Sequence, residues 1–235
     1  MNFIPAIQKW ALLLLFVFAN PLNASESHTS RGSDGELYLN WSSLIKKVEP
    51  IDNPFLTMSP TNLEMMKDYA SLLRRVESNS SVFTKEDLTE YQSRMDSITK
   101  ELKTSGLDPV ALVEARNKIM QQQYDQMNSP NPSVVNQTWK IPGFIAPIDF
   151  DGTKVTRFFL VPIAGACIHT PAPPPNQIVM VEFEQGFELK GLEDPIWVEG
   201  KLESEMVSGV ASYYDGQSQV EAIYTMKADT TQFYK

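Results

Sequence analysis

Cysteine and histidine, the side chains that most often bind metals or act as nucleophiles and bases, are almost absent from this chain. There is one cysteine and there are two histidines among 235 residues. A single cysteine excludes a disulfide within the chain, so Cys167 must be buried, bound by a metal or a partner, or used chemically. The chain also lacks a Gly-rich phosphate loop, a His-Glu-x-x-His motif and a Gly-x-Ser-x-Gly turn, so no common catalytic motif is present.

Basic residues are scarce relative to acidic ones. The chain has 20 lysines and arginines against 29 aspartates and glutamates, which gives a formal net charge of -9. Nucleic-acid phosphates and anionic lipids both attract clustered positive charge. We therefore expect no nucleic-acid partner and no attachment to an anionic membrane surface.

Long apolar runs are missing except at the N-terminus. Lys9 precedes an apolar stretch over residues 10–19, and small Ala24 follows at a plausible cleavage position. This pattern is typical of a secretory signal peptide, and the stretch is shorter than the roughly 20 residues of a membrane span. We predict that residues 1–24 are removed, that no membrane span remains and that the protein lies in the periplasm. An uncleaved N-terminal anchor is the alternative.

Start signals and apolar spacing predict three helices before residue 130. Each predicted helix begins after a capping residue: Ser59, Thr84 and Asp108. Apolar residues then recur at steps of three and four, as on one face of a helix. We predict a disordered leader over residues 25–36 and a helical segment over 37–130, which docks on the body through Trp41 and Leu44. A small bundle is the simplest use of these helices, and a coiled-coil or docking surface is the alternative.

Beyond residue 130 the apolar period changes from helical to alternating. Five short strands are predicted, at residues 134–141, 155–161, 178–183, 196–202 and 220–226. No helical run between them is long enough for repeated βαβ crossovers. Closure into a barrel removes exposed sheet edges. We therefore predict an α+β protein with a small antiparallel β-barrel of the OB kind over residues 131–235, with a β-sandwich as the alternative.

The side chains with the most chemical potential lie together in residues 165–177. Cys167 and His169 are two positions apart, so in an extended backbone both point to the same face. Thiolate and imidazole suit zinc or copper, although they supply only half of the four ligands of a structural zinc site. A zinc or copper site at these two residues is one hypothesis, and a Cys167 nucleophile served by His169 is another.

A proline-rich segment follows this pair at once. Each proline fixes φ and lacks an N–H, so the segment favours a stiff polyproline-II conformation that loses little entropy on docking. The residues predicted to bind a partner are Pro171, Pro173, Pro174, Pro175, Asn176 and Gln177. Because partner binding requires no residue beyond these, it is the interpretation that we favour over a metal site or an enzyme.

Four runs stand out in and around this segment: 141–147, 157–162, 165–178 and 195–200. They resemble a family of exported bacterial proteins known as domain-of-unknown-function family 3299. The resemblance covers roughly residues 134–235, together with residues 41–44. The family pattern has proline where this chain has Ala172, and often an aromatic pair where this chain has Ile163 and Ala164, which changes what packs beside Cys167.

This resemblance implies an exported bacterial protein with no assigned activity. Family members are often encoded near ABC-type export or metal-uptake components. We therefore expect a non-catalytic accessory protein whose residues 167–177 contact an envelope protein, such as an ABC transporter component, in transport or metal homeostasis. Zinc and copper are the only cofactors that the residues suggest.

Overall fold

Helices and a β-sheet form separate parts of the molecule. The structure, a computed structural model, describes residues 29–31, 37–78, 82–167, 170–213 and 216–234. The strands and α-helices are, in chain order, β1 (Thr29–Arg31), β2 (Leu37–Leu39), α1 (Pro60–Glu77), α2 (Lys85–Thr104), α3 (Pro109–Met127), β3 (Gln137–Asp151), β4 (Lys154–Val161), β5 (Val179–Glu188), β6 (Ile196–Tyr213) and β7 (Gly216–Phe233). Short 3₁₀ helices lie at Trp41–Leu44, Pro54–Leu56 and Pro175–Gln177. This content confirms the predicted α+β class.

The N-terminal region differs in part from its prediction. Strand β1 pairs antiparallel with β2, so residues 29–31 are ordered although they lie in the predicted leader. The Ser30 hydroxyl also donates a hydrogen bond to the Asn40 side chain at 2.5 Å. Backbone pairing with a later strand is a long-range effect that a polar local composition does not reveal. The predicted signal peptide lies outside the described residues.

The three helices begin at the predicted capping residues. The Thr84 hydroxyl accepts the N–H of Asp87 at 3.1 Å, and the Asp87 carboxylate accepts the N–H of Thr84 at 2.8 Å. Ser59 and Asp108 accept equivalent backbone bonds at the starts of α1 and α3. No helix in the described part of the chain is both long enough and apolar enough to cross a membrane.

The helices bury a hydrophobic cluster of their own. Its buried members are Met66, Tyr69, Met95, Ile98, Leu102 and Leu112. The chain enters and leaves this helical part at one place, because Ile45 and Pro130 form an antiparallel bridge. The side chains of Gln122 and Gln126 in α3 donate to the backbone oxygens of Glu49 and Lys46 at 2.7 and 2.8 Å. These bonds hold α3 against the incoming segment.

Strands β3 to β7 close into a barrel in the order β3-β4-β5-β7-β6. Every neighbouring pair is antiparallel except β5 with β7, which is parallel. The prediction of an antiparallel barrel is wrong at this pair. Strand direction cannot alternate all the way around a ring of five, so at least one pair must be parallel.

Strands β6 and β7 extend well beyond the predicted segments and build a second core. Alternation along β4 places Phe158 in the barrel interior and Phe159 on the outer face, in a separate buried cluster. Val207 and Ala211 from the extended part of β6 join this outer cluster. A Cβ added at Gly209 would lie 3.3 Å from the ring of Phe159. The β6–β7 hairpin therefore folds over the outer face of the barrel wall.

The short helix Trp41–Leu44 seals one end of the barrel. Leu39 and Leu44 are fully buried and belong to the same cluster as the barrel interior. The indole Nε1 of Trp41 donates to the backbone oxygen of Pro142 at 2.7 Å. The predicted docking of Trp41 and Leu44 is thus confirmed.

A buried polar network fixes this seal. The hydroxyl of Tyr224 in β7 donates to the Leu44 oxygen and accepts the N–H of Asn131, both at 2.6 Å. The Asn131 amide donates to the Ser43 oxygen at 2.7 Å and accepts two bonds from Ser133. Burial raises the pKa of Tyr224 to about 12, although the bond from Asn131 lowers it. The hydroxyl therefore stays protonated and able to donate at any physiological pH.

We expect Tyr224→Phe to destabilise the protein by about 1–3 kcal/mol, because it leaves the Leu44 oxygen and the Asn131 N–H buried without a partner. Urea unfolding followed by circular dichroism measures this change. The matched control is Tyr124→Phe, since Tyr124 is 62% exposed and its change should stay within about 0.5 kcal/mol. Equal stability of the two variants would show that the Tyr224 hydroxyl is dispensable.

Candidate functional site

The loop between β4 and β5, residues 162–178, carries the residues that the sequence singles out. It begins with a tight turn in which the Ala166 N–H donates to the Ile163 oxygen at 3.2 Å. It ends in the 3₁₀ helix Pro175–Gln177, directly before β5. Residues 168 and 169 lie outside the described part of the chain. The predicted pairing of Cys167 with His169 therefore stays a prediction.

Cys167 lies inside the outer cluster of the barrel. Its side chain is 1% exposed and packs with a group that includes Phe159 and Ile178. Its backbone has φ 72°, in the left-handed region, which costs a residue with a Cβ roughly 1–2 kcal/mol. The Cys167 N–H donates to the Thr170 oxygen at 3.1 Å, and the Thr170 N–H donates to the Gly165 oxygen at 3.3 Å. Apolar packing and these two bonds hold the unfavourable conformation in place.

Burial determines the chemistry of the Cys167 thiol. Desolvation raises the pKa of this thiol from 9.0 to about 12. The thiolate is the form that attacks electrophiles and binds metals, so at neutral pH the sulfur is protonated and packs as a small apolar group. No cluster of three or more His, Cys, Asp or Glu side chains suited to a metal ion occurs within the described ranges.

The prolines of the loop are graded in exposure. Pro171 and Ala172 are exposed, whereas Pro173, Pro174 and Pro175 are half-buried. The loop therefore rises to the surface at residues 171–172 and descends again toward β5. Pro171 is the residue of the predicted partner-binding set that lies fully at the surface.

Asn176 and Gln177 bond to distant parts of the same chain. Asn176 is 2% exposed, and its amide donates to the Gln126 oxygen at the end of α3 at 2.9 Å. The Gln177 amide donates to the Trp41 oxygen, also at 2.9 Å. These two side chains therefore anchor the loop to α3 and to the barrel seal, and their predicted contact with a partner stays a prediction. Both partners are distant in sequence, so no local signal points to them.

Asn131 has a structural role that the apolar pattern of the sequence does not indicate, since it shows only that the apolar period changes near residue 130. In the structure Asn131 is 8% exposed and connects the seal to β7. The sequence feature that could indicate this role is an asparagine between two prolines. Prolines fix the backbone on both sides, which suits a residue that must make several directed bonds.

We expect the Cys167 thiol to react slowly with a thiol reagent in the folded protein and rapidly in urea. A pKa near 12 instead of 9.0 leaves about a thousandfold less thiolate at pH 8. Stopped-flow labelling between pH 7 and about 10 measures both rates, with Cys167→Ala as the unreactive control. Fast labelling of the folded protein with a midpoint below pH 8 would contradict the buried, protonated thiol.

The raised pKa of Cys167 also makes the free energy of unfolding depend on pH. Because the folded pKa of Cys167 is raised, its contribution to stability is full below the unfolded pKa near 9 and declines as pH rises toward about 12. The unfolding free energy of the natural chain should therefore fall more steeply above pH 9 than that of Cys167→Ala.

Several solved structures are similar to part of this chain. A DUF3299 family protein from Pseudomonas aeruginosa PAO1 is 35% identical, with 46% of this chain and 67% of that chain covered and a TM-score of 0.39. An OBody, solved bound to hen egg-white lysozyme, is 15% identical, with 44% and 87% covered and a TM-score of 0.27. An aspartyl tRNA synthetase from Entamoeba histolytica is 13% identical, with 43% and 19% covered and a TM-score of 0.26.

A comparison with curated proteins finds no significant match. Residues 41–232 match a family model described as "Protein of unknown function (DUF3299)". This match begins at Trp41, the first residue of the barrel seal, and runs almost to the end of β7. Since it spans well over half of the sequence, the chain belongs to the DUF3299 family.

Proposed function

We propose that this protein is an exported, non-catalytic binding protein of the bacterial envelope. Its binding surface is the proline rim, which we define as Pro171, Ala172, Pro173 and Pro174. The observation that carries the proposal is that both ends of the loop are anchored in the protein interior while its middle reaches the surface. The periplasmic location is proposed from the sequence of residues 1–24.

Because both ends of the loop are anchored, the rim is ordered before a partner binds. On one side Cys167 is buried, and on the other Asn176 is bonded to α3 and Ile178 is fully buried. The prolines between these anchors have few conformations left to lose. A segment that is already ordered loses less conformational entropy on binding than a flexible loop would.

The barrel that carries the rim is, in our proposal, of the OB kind. Two features support it: the first of its five strands pairs with the fourth, and the third pairs with the fifth in parallel. OB barrels commonly bind ligands on the face of their second and third strands, here β4 and β5, and on the loops that join strands one and two and strands four and five. Part of this face, including Phe159, is covered by the β6–β7 hairpin. This covering disfavours the strand face as the binding surface, and we propose the exposed rim on the β4–β5 loop in its place.

The buried thiol supports a binding role over catalysis. A protonated sulfur that is 1% exposed has neither the charge nor the access of a nucleophile. We propose that Cys167 instead fills the core under the rim and holds its turn. The system that the protein serves, ABC-type transport or metal homeostasis, is proposed from the family resemblance alone.

In-cell photo-crosslinking tests the rim directly. With p-benzoylphenylalanine at position 172, we expect one discrete protein adduct in the envelope. The same probe at Ser93, an exposed residue of α2, is the control and should not give this adduct. Pro173→Gly combined with Pro174→Gly should lower affinity about tenfold, because two prolines restrict the free loop.

The proposal fails if position 172 gives no adduct, or if Ser93 gives the same one. Once the partner is identified, titration of the purified pair measures the predicted tenfold effect. An unchanged affinity in the double-glycine variant would show that preorganisation of the rim does not contribute to binding.

A further inference from the structure

Helix α3 exposes an apolar face that packing of its own chain does not explain. The exposed fractions are 56% for Val110, 49% for Met120, 62% for Tyr124 and 44% for Met127. Asn117 is exposed on the same side of the helix, and Val113, at the edge of that side, is half-buried against the helical cluster. We call these six residues the α3 outer face. Exposed apolar side chains are common singly, but a continuous row of them is typical of an interaction site.

All of the α3 outer face except Val113 lies apart from the hydrophobic cluster of the helices. Leu112 packs into the helical cluster, and Gln122 and Gln126 bind the segment before α1. At about 100° per residue, Gln122 and Gln126 lie nearly opposite the centre of the outer face, and Leu112 lies roughly a third of a turn from it. Packing within the chain uses one side of α3 together with Val113, and the four residues Val110, Met120, Tyr124 and Met127 remain at the surface.

The spacing of the outer face is that of a coiled-coil seam. Its members follow one another at steps of three, four, three, four and three residues, which is the heptad pattern of core positions. Asn117 occupies an inner position of this row. In parallel two-stranded coiled coils, one asparagine at such a position faces its counterpart and fixes register at some cost in stability.

The charges of α3 permit contact with a second copy. The helix carries two acidic residues, Glu114 and Asp125, and two basic ones, Arg116 and Lys118, so its formal charge is zero while the whole chain carries -9. The residues that flank the seam in a parallel pair would set Arg116 beside the neutral Gln121 of the other copy. Like-charge repulsion therefore does not oppose self-association at this face.

We propose that the α3 outer face binds the same face of a second copy of this chain, with the two helices parallel and the two Asn117 side chains facing each other. The four exposed side chains offer on the order of 400 Å² per chain, about half of the ~800 Å² of a standard interface. The dimer should accordingly be weak and reversible, with a Kd in the micromolar range. This surface is separate from the proline rim.

Sedimentation equilibrium of the purified protein between about 1 µM and 1 mM tests the proposal. We expect a monomer–dimer equilibrium that Tyr124→Glu weakens at least tenfold, since a charge would enter the seam. Asn117→Leu should tighten the dimer about tenfold by replacing the polar core residue. Leu56→Glu, at a residue that is 73% exposed elsewhere, is the matched control and should leave the equilibrium unchanged.

A monomer at every concentration overturns the proposal. So does a dimer that Tyr124→Glu leaves intact, or one that Leu56→Glu weakens equally. Because Asn117→Leu is expected to act in the opposite direction to Tyr124→Glu, general loss of folding cannot imitate the predicted pair of results. Weaker association in Asn117→Leu would rule out the arrangement with facing asparagines.

Discussion

The hydroxyl of Tyr224 is the single polar contact on which the arrangement of this molecule depends. It connects three distant parts of the chain: β7, the seal at Trp41–Leu44, and the return from the helices at Asn131. All of these groups are buried, so none can exchange its partner for water without cost. The network sits beside the Ile45–Pro130 bridge, where the helical part leaves the barrel and returns to it.

The position of the candidate binding loop follows from this seal. The Trp41 oxygen accepts the Gln177 amide, and the neighbouring Asn176 bonds to the end of α3. The loop is thereby fixed to both parts that the Tyr224 network holds together. At the other end of the loop, apolar packing around Cys167 secures a left-handed turn. The buried Cys167 thus helps to hold the conformation of the loop. That it is the only cysteine in the sequence does not indicate that its thiol reacts.

Local signals in the sequence predicted what is locally determined. The helix starts at Ser59, Thr84 and Asp108 depend on bonds within three residues, and all three were found. The five barrel strands were located by alternation, but their lengths and the parallel β5–β7 pair depend on closure of the whole ring. The buried bonds of Asn131 reach 88 and 93 residues along the chain, and that of Gln177 reaches 136. Composition and periodicity contain no information on such contacts, so neither the bonds of Asn131 nor that of Gln177 can be predicted from the sequence.

Hydrogen exchange at the Asn131 amide tests the central contact most directly. This N–H belongs to a turn outside every helix and strand, and its acceptor is the side-chain oxygen of Tyr224. The account predicts that it exchanges only with opening of the barrel, as slowly as the amide of the fully buried Leu160 in β4. Exchange as fast as that of the exposed segment 46–50 would contradict the account, because the seal would then open independently of the barrel.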